Sequence, residues 1–487
     1  MRKRPLVLLL ITALIPILLL FSASATAQAA RHYDELTFPP LPEVQIPAYS
    51  RFVLENGMVV YLMENHELPL VGGVAVVRTG DRLEPADKVG LGSITGDVLR
   101  DGGTLKHPPD RLNALLEQRA ASVESGIDLS SGSVSFSALT ENLPEVFDLF
   151  AEVIREPAFP QEKLDLAKVQ WRGSIARRND EPGDIADREF SKLIYGASSP
   201  YARTVEYATL DKITREDLVQ FYQQDFHPNR MIVGIVGDFD SQAMRSQIQQ
   251  KFGDWKPQIQ RQQPPLPGVT QATLKGIFLV DQPQLTQSYI QMGHLGGLLN
   301  HPDYAALTVM EGVLSGFGGR LFNQVRSRQG LAYSVYASWG AGFDYPGVFV
   351  AGGETRSEAT VPFIQSVVKE IDRIRQTPIT PQELAYAKDS VLNSFVFNFQ
   401  QPGQTLSRLI QYEYFGYPQD FLFQYQRGVA ATTIADVQRV ARTYLQPEKL
   451  VTLVVGNNAA IKPSLTSLKP STPVVPIDIT IPVSKSR

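Results

Sequence analysis

The chain has 487 residues, of which 43% are hydrophobic and 20% are charged, and this composition is typical of a globular protein rather than a disordered one. At roughly 100 to 200 residues per domain, the length indicates two to four domains. The formal net charge of -4 provides no overall positive field, so nucleic acid is not expected as a partner. The absence of cysteine excludes disulfides, thiolate zinc sites and cysteine nucleophiles.

The N-terminus has the layout of a secretory signal peptide. Basic residues Arg2–Arg4 precede an apolar run from Leu6 to Phe21, and small alanines follow it. The alternative is an uncleaved anchor, but the run spans 16 residues, and a membrane-spanning helix needs about 20. We therefore predict a signal peptide at residues 1–30, export to the periplasm or the extracellular space, and no membrane span after cleavage.

The first ordered elements are predicted to be strands followed by a helix. Residues 51–64 carry an Asn56-Gly57 turn signal between two apolar stretches, which favours a hairpin. Val71–Arg78 is rich in β-branched residues and predicts a further strand. A helix is predicted over Val89–Arg100, where Gly102 and the glycine after it end the pattern.

An internal repeat with a spacing near 220 residues organises the rest of the chain. Phe159–Lys168 resembles Thr380–Lys388, and Ile213–Tyr222 resembles Thr433–Tyr444. Both copies of the second segment lead into an apolar strand that ends in glycine. Because solenoid repeats span roughly 20 to 50 residues, this longer period indicates two copies of an α/β unit, each with two strand-and-helix layers.

The domain boundaries follow from this repeat and from proline content. An N-terminal half at 31–255 and a C-terminal half at 269–460 are predicted to form a clamshell around a cavity. The stretch at 256–268 is rich in glutamine and proline and predicts a linker, whose proteolysis should release two compact fragments. Residues 461–487 are rich in proline without helical periodicity, and we predict a flexible tail.

The segment Gly90–Thr104, GLGSITGDVLRDGGT, resembles the inverted zinc-binding segment of the pitrilysin and insulinase peptidases, which include the mitochondrial processing peptidase. In that family two histidines at i and i+4 bind zinc, and a glutamate at i+3 activates the metal-bound water. The corresponding residues here are Ser93, Gly96 and Asp97. The resemblance therefore implies a degenerate zinc motif.

The third zinc ligand of the family is a glutamate on a later helix. The matching helix, Leu166–Arg178, contains no acidic residue. Since all elements of the metal site are missing together, no metal is expected on this chain. Serine hydrolase chemistry is not favoured either, because the sequence contains no Gly-x-Ser-x-Gly elbow.

The C-terminal half resembles the family at a second set of residues. Gly318–Trp339, GGRLFNQVRSRQGLAYSVYASW, matches a glycine-rich turn, a helix and a strand. By this resemblance Arg326 and Tyr333 hold the substrate backbone and support the oxyanion of the tetrahedral intermediate. The alternative is structural: alternation from Leu331 to Trp339 is also typical of a strand that buries Tyr333, with Arg326 on a solvated helix.

The resemblance implies an α+β fold with two homologous halves, each with two α/β roll-like layers on mainly antiparallel sheets, forming a clamshell. It also implies a noncatalytic subunit that pairs with a homologous zinc-bearing subunit and supplies Arg326 and Tyr333 to the partner's active site, with a peptide or unfolded polypeptide as substrate. Zinc is then expected on the partner, and this chain alone is expected to be inactive. The alternative is a noncatalytic peptide-binding or scaffold protein with the same fold.

Overall fold

The protein is described by a computed structural model that covers residues 46–256, 265–316 and 318–482. The predicted signal peptide lies outside these ranges, as does most of the predicted linker. Within them, no helix is both long enough and apolar enough to cross a membrane.

The N-terminal half contains six strands and eight helices in its described part. The strands are β1 (Ser50–Val53), β2 (Val59–Glu64), β3 (Leu70–Val77), β4 (Ser122–Ile127), β5 (Gly132–Leu139) and β6 (Met231–Gly237). The helices are α1 (Leu91–Asp101), α2 (Pro109–Glu117), α3 (Leu143–Arg155), α4 (Gln161–Arg177), α5 (Pro182–Tyr195), α6 (Tyr207–Lys212), α7 (Arg215–Asp225) and α8 (Ser241–Phe252). The predicted hairpin, strand and helix of this half are therefore confirmed.

The C-terminal half repeats this sequence of elements. Its strands are β7 (Gly276–Asp281), β8 (Gln287–Leu295), β9 (Ala332–Trp339), β10 (Val348–Arg356), β11 (Val451–Gly456) and β12 (Val474–Pro476). Its helices are α9 (Tyr304–Ser315), a π-helix (Phe322–Arg328), α10 (Thr360–Gln376), α11 (Pro381–Ser394), α12 (Pro402–Phe415), α13 (Phe421–Ala431) and α14 (Ile434–Tyr444).

Each half forms one six-stranded sheet, and the two sheets share a topology over five strands. They differ at one edge, where β1 is antiparallel to β2 but β12, the last strand of the chain, is parallel to β7. The strand order is β1-β2-β6-β3-β5-β4 in the first and β12-β7-β11-β8-β10-β9 in the second. Only the β2–β6 pair is parallel in the first sheet, and only β7–β11 and β7–β12 are parallel in the second. The prediction of two homologous halves on mainly antiparallel sheets is confirmed.

The repeated segments of the sequence begin equivalent helices. Thr214 starts α7 and Thr433 starts α14, and each side chain accepts a hydrogen bond from the backbone three residues later. The carboxylate of an aspartate at that third position accepts a hydrogen bond from the threonine backbone N–H in both helices. These capping boxes satisfy amides that a helix N-terminus otherwise leaves unpaired, which is why the two segments look alike.

The two halves exchange helices. Helix α5 of the first half packs on the second sheet, where Phe190 and Ile194 lie against Val451 and Leu453 of β11. Its counterpart α12 packs on the first sheet, where Leu406 and Ile410 lie against β2 and β6. Each sheet therefore buries one apolar face against a helix that belongs to the other half.

A buried ion pair also joins the halves. Arg82 lies between β3 and α1, and its guanidinium donates two hydrogen bonds, of 2.9 and 2.7 Å, to the carboxylate of Asp344 in the β9–β10 loop. The Arg82 side chain is only 1% exposed. Next to this pair the rings of Tyr201 and Tyr345 stack with centroids 4.5 Å apart.

The end of the chain is more ordered than its proline content predicts. Ile461 and Leu465 are buried in the core of the second half. Strand β12 pairs in parallel with β7, and Ile477 packs against α5 and the second sheet. The prediction of a flexible tail over 461–487 is therefore wrong for the described residues up to 482, because apolar residues among the prolines anchor the segment. Residues 483–487 lie outside the described part.

The helix exchange changes what proteolysis of the linker should produce. We now expect the cut chain to run as two fragments on a denaturing gel but as a single complex of unchanged size in native gel filtration. The reason is that separation would expose the apolar faces of α5 and α12 together with the sheets that they cover. Elution as two separate halves would contradict this expectation.

A variant can weaken the same contacts. Combining Phe190→Ala with Ile410→Ala removes one large buried side chain from each of α5 and α12. Each change should lower the free energy of unfolding by about 2–5 kcal/mol. The cut double variant should therefore dissociate at lower urea concentration than the cut wild-type chain.

Candidate functional site

The three degenerate zinc-motif positions lie on one face of helix α1, and each is engaged within the chain. The Ser93 hydroxyl donates a 2.7 Å hydrogen bond to the carboxylate of Asp81. Gly96 is buried against strand β4. Asp97 accepts a 3.0 Å hydrogen bond from the indole of Trp171. Gly96 is buried and Ser93 is half-buried, whereas Asp97 is exposed on the helix surface with its carboxylate bonded to the indole.

Gly96 is where helix α1 comes closest to β4. A Cβ atom at this position would lie 2.8 Å from the Gly126 carbonyl carbon and closer still to the Ile127 nitrogen. The Ser125 hydroxyl also donates a 2.6 Å hydrogen bond to the Gly96 carbonyl oxygen. Since backbone atoms make up the obstacle, no side chain fits, including the glutamate that the active pattern has here.

Trp171 lies on α4, the helix that should bear the third zinc ligand by the resemblance. Its indole N–H donates to the carboxylate of Asp97, so a large side chain from this second helix lies against the motif position on α1. Burial raises the pKa of Asp97, and the indole hydrogen bond opposes that shift. Among the described residues no group of three or more His, Cys, Asp or Glu side chains could hold a metal ion. The residues present do not fit zinc.

Two acidic residues support the N-terminus of α1. The Glu84 carboxylate accepts hydrogen bonds of 2.9 Å from the backbone amides of Gly90 and Gly92, which lie at the start of the helix. Arg203 donates to the backbone carbonyls of Asp81 and Glu84. Burial raises the pKa of Asp81 to about 6 and that of Glu84 to about 7. Both acids bond to the first turn of the helix and stabilise it, and their geometry does not indicate a ligand.

The second candidate site is in the C-terminal half, where the π-helix leads into edge strand β9. Strands β9 and β10 pair with a shift in register: Ser334 lies opposite Glu354, and Ala332 lies opposite Thr355. Tyr333 therefore has no partner residue on β10. This β-bulge turns its side chain away from the sheet, and Tyr333 is 83% exposed.

Arg326 and Tyr333 lie together. The Arg326 guanidinium carbon is 5.0 Å from the centroid of the Tyr333 ring and 4.9 Å from that of Phe322. Such cation–π contacts hold an exposed arginine in a defined position. Within the described part of the chain the Tyr333 hydroxyl has no hydrogen-bond partner. The pair is therefore positioned and open to a ligand.

The two sets of residues singled out from the sequence therefore differ in their exposure. Ser93, Gly96 and Asp97 lie together and each contacts another segment of the chain, whereas Arg326 and Tyr333 lie together and are exposed. The alternating pattern correctly describes Ala337 and Trp339, which are buried, but the bulge removes Tyr333 from that face. Sequence analysis missed Trp171 and the Asp81–Glu84 support, because both depend on contacts between distant segments.

The close approach at Gly96 generates a prediction about restoring the motif. Gly96→Ala should lower the free energy of unfolding by about 1–3 kcal/mol, because the new methyl group overlaps backbone that cannot easily move. The triple variant Ser93→His, Gly96→Glu and Asp97→His should bind no stoichiometric zinc by metal analysis. Recovery of one zinc per chain would contradict the closed geometry.

A matched control is available on α4. Gly173 also lies in a helix, but a Cβ there would meet no atom within 4 Å. Gly173→Ala should therefore leave stability unchanged or raise it by up to about 1 kcal/mol. Urea unfolding of both single variants separates overlap at Gly96 from a general effect of replacing helical glycine.

The pKa of Asp81 predicts a pH dependence of stability. Because this pKa is raised from 3.8 to about 6, the folded state binds the proton more tightly, and this contribution to stability is lost as pH rises from about 4 to 6 and above. In Asp81→Asn, the loss of unfolding free energy with rising pH should be smaller by about 1–3 kcal/mol, as measured by urea unfolding at several pH values. Asp87→Asn, on the exposed part of the same loop, should leave the decline unchanged, and an equal decline in both variants would refute the assignment.

Comparison with known proteins agrees with this geometry. The family model for insulinase, peptidase family M16, matches residues 60–202, and the model for the peptidase M16 inactive domain matches residues 212–391. A Helicobacter pylori protein named non-peptidase homolog YmxG is 23% identical over 399 residues, which cover 81% of this chain and 90% of that protein. An uncharacterized zinc protease of Streptomyces coelicolor is 24% identical over 347 residues, covering 68% of this chain and 75% of that one.

Solved structures share the fold. The crystal structure of a peptidase M16 inactive domain from Pseudomonas fluorescens matches with a TM-score of 0.76 and 23% identity, covering 86% of this chain and all of that one. The periplasmic protease PqqL from Escherichia coli matches with a TM-score of 0.71 and 17% identity, and the match covers 86% of this chain and 47% of PqqL. Together, the two sheets of shared topology and the two family models show that this chain belongs to the M16, or insulinase, peptidase family.

Proposed function

We propose that this chain is the noncatalytic, substrate-binding subunit of a heterodimeric zinc endopeptidase, and that it supplies Arg326 and Tyr333 to the active site of a zinc-bearing partner. The observation that carries this proposal is the contrast between the two sites. Gly96 and Trp171 close the zinc position, whereas a β-bulge presents Tyr333 to solvent with Arg326 stacked on it.

The chemistry of the pair suits peptide hydrolysis. A phenol hydroxyl without an internal partner can donate a hydrogen bond to the oxyanion of a tetrahedral intermediate, which stabilises the transition state more than the ground state. The guanidinium beside it can donate to backbone carbonyls of an extended substrate. Neither group activates water, so a partner must provide the metal and the general base.

Two of the comparisons support a role without independent catalysis, whereas the S. coelicolor relative is named a zinc protease. The H. pylori relative is named a non-peptidase homolog, and one of the matching family models is described as an inactive domain. The proposed location is the periplasm or the extracellular space. The basic and apolar residues before Ala30 support export, and the structural relative PqqL is a periplasmic protease. The proposed substrate is a peptide or an unfolded polypeptide.

The first test measures turnover of a complex with the zinc-bearing partner, sought as an exported homologue with an intact His-x-x-Glu-His that co-purifies with this chain. Tyr333→Phe should lower kcat about 10- to 1,000-fold. Folding and assembly should not change, because the exposed hydroxyl makes no contact within the described chain. Arg326→Ala should mainly raise KM, since a backbone clamp binds ground and transition states alike.

Matched controls exist in the same half. Tyr386→Phe removes a hydroxyl from another exposed tyrosine, and Arg328→Ala removes an exposed guanidinium two residues from Arg326. Both should retain wild-type kinetics. The isolated chain should contain no zinc and cleave no quenched peptide. Unchanged kinetics for Tyr333→Phe and Arg326→Ala in an active complex would refute the proposed role and favour a peptide-binding or scaffold protein.

A further inference from the structure

A cavity of about 380 Å³ lies in the second half, against the middle of α12. Its walls come from α9, α11, α12, α13, the β9–β10 loop and a 3-10 helix (Phe395–Phe399). Ligand cavities span roughly 300–1,000 Å³, so this one suits a single ring with its attached groups rather than a large cofactor. It shares no lining residue with the two candidate sites described above.

Aromatic side chains form most of the wall of this cavity. The Tyr412 and Phe421 rings meet edge to face, with centroids 5.5 Å apart. The rings of Tyr304 and Tyr425 have centroids 5.2 Å apart. Six rings line the cavity in all, those of Tyr304, Phe343, Phe395, Tyr412, Phe421 and Tyr425. Such walls favour another ring, because the face of one aromatic ring attracts the edge of the next.

Among the described residues that line this cavity, only Arg408 is charged. Its Nη2 atom donates a 2.6 Å hydrogen bond to the side-chain oxygen of Asn398. Its Nε atom is buried and has no hydrogen-bond partner in the described chain. No carboxylate of the described residues pairs with Arg408 either. Because a buried donor without an acceptor is destabilising, this position suits an anion.

The neighbouring phenol does not neutralise the charge of Arg408. Burial raises the pKa of Tyr412, and its hydrogen bond with Arg408 opposes that shift. A tyrosine hydroxyl with a raised pKa is uncharged near neutral pH. The guanidinium therefore places a positive charge beside the aromatic walls, and a carboxylate is the complementary group.

A second cavity, of about 710 Å³, adjoins the first. The two share Asn398, Arg408 and Gln411, so Arg408 lies at their junction. The larger cavity has four primary amides in its wall, those of Asn398, Gln401, Gln404 and Gln411. An amide side chain both donates and accepts hydrogen bonds, as a peptide backbone does. The ring cavity thus continues past Arg408 into a space with polar walls.

We propose that the two cavities bind the carboxyl-terminal residue of a peptide when that residue is aromatic. The ring occupies the smaller cavity, the terminal carboxylate accepts hydrogen bonds from Arg408, and the preceding residues extend along the amides of the larger cavity. A free aromatic acid shares the ring and the carboxylate but lacks the preceding residues. The inference does not depend on the function proposed for Arg326 and Tyr333.

Isothermal titration calorimetry of the purified chain tests the ligand chemistry. The probe is the acetylated peptide Ala-Gly-Ser-Phe with a free terminal carboxylate. Its carboxamide should bind about 10-fold more weakly, because the guanidinium loses a charged acceptor. An alanine in place of the terminal phenylalanine should weaken binding about 10-fold or more, since no ring is buried. 3-Phenylpropionate should bind about 5-fold more weakly than the probe, because it makes no hydrogen bonds in the larger cavity.

Two variants locate the carboxylate. Arg408→Gln should bind the acid and the amide peptides equally. Asn398→Asp should do the same, because it keeps an oxygen beside Arg408 and adds a negative charge that neutralises the guanidinium. The control is Arg442→Gln, which removes an exposed arginine of α14 outside both cavities and should keep the preference of about 10-fold for the acid. Thermal unfolding confirms that each variant is folded, and Asn398→Asp decides the point if Arg408→Gln is not.

A matched pair of substitutions locates the ring. Ser394 is exposed and lines the smaller cavity, whereas its neighbour Asn393 is exposed and lies outside it. Ser394→Trp should fill the cavity and weaken binding of the acid peptide about 10-fold or more, because the phenyl ring is excluded. Asn393→Trp should leave the affinity unchanged.

Any of the following results would overturn the proposal. The wild-type chain binds the acid and the amide equally, or binds neither up to about 1 mM peptide. The preference for the acid persists in Asn398→Asp. The two tryptophan variants bind the acid peptide equally, or the peptide that ends in alanine binds as tightly as the probe. Finally, 3-phenylpropionate that binds as tightly as the probe would assign the cavity to a free aromatic acid instead of a peptide terminus.

Discussion

Helices α5 and α12 each pack on the sheet of the opposite half, and this mutual packing fixes how the two halves fit together. A sheet that buries helices on one face still exposes apolar residues on the other, and here a helix from the opposite half covers that face. The Arg82–Asp344 ion pair also requires the two halves to keep this relative position, because loss of either partner leaves a charge without compensation. As a result the halves cannot behave as two independent domains. The β9–β10 loop that carries Asp344 is held against the first half, and this loop is continuous with the strand that presents Tyr333.

Duplication of one unit has produced two halves with different local packing. The same topology places α1 next to the edge strand β4 in the first half and its counterpart α9 next to the edge strand β9 in the second, where the π-helix also contacts β9. In the first half the helix and the strand have closed together at Gly96, which stabilises the half and removes the space for a metal. In the second half a bulge opens the strand and exposes a tyrosine. These opposite local packings are the basis of the proposal that this chain binds substrate while a partner subunit provides the zinc.

The segment that follows the last long strand is a further difference between the copies. Helix α8 completes the core of the first half, with Phe252 packed on Phe147 and Phe150. In the second half the residues after β11 form turns and a short 3-10 helix, and Ile461 and Leu465 pack in the core before the chain pairs with β7 as β12.

Patterns in the sequence predicted the order of elements and the duplication, and the resemblance to the family implied the loss of the zinc ligands. Capping threonines, the Asn56-Gly57 turn and apolar periodicity act within a few residues, so they can be read from the chain alone. The resemblance to the family also singled out Arg326 and Tyr333, which are seven residues apart. The exposure of Tyr333 could not be predicted from the sequence, since the bulge depends on how β9 pairs with β10. The same holds for the packing of Gly96 against β4 and for the hydrogen bond from Trp171 to Asp97. It also holds for the packing of α5 and α12 on the opposite sheets and for the strand in the proline-rich end. Each of these depends on contacts between residues far apart in sequence, which local patterns do not encode.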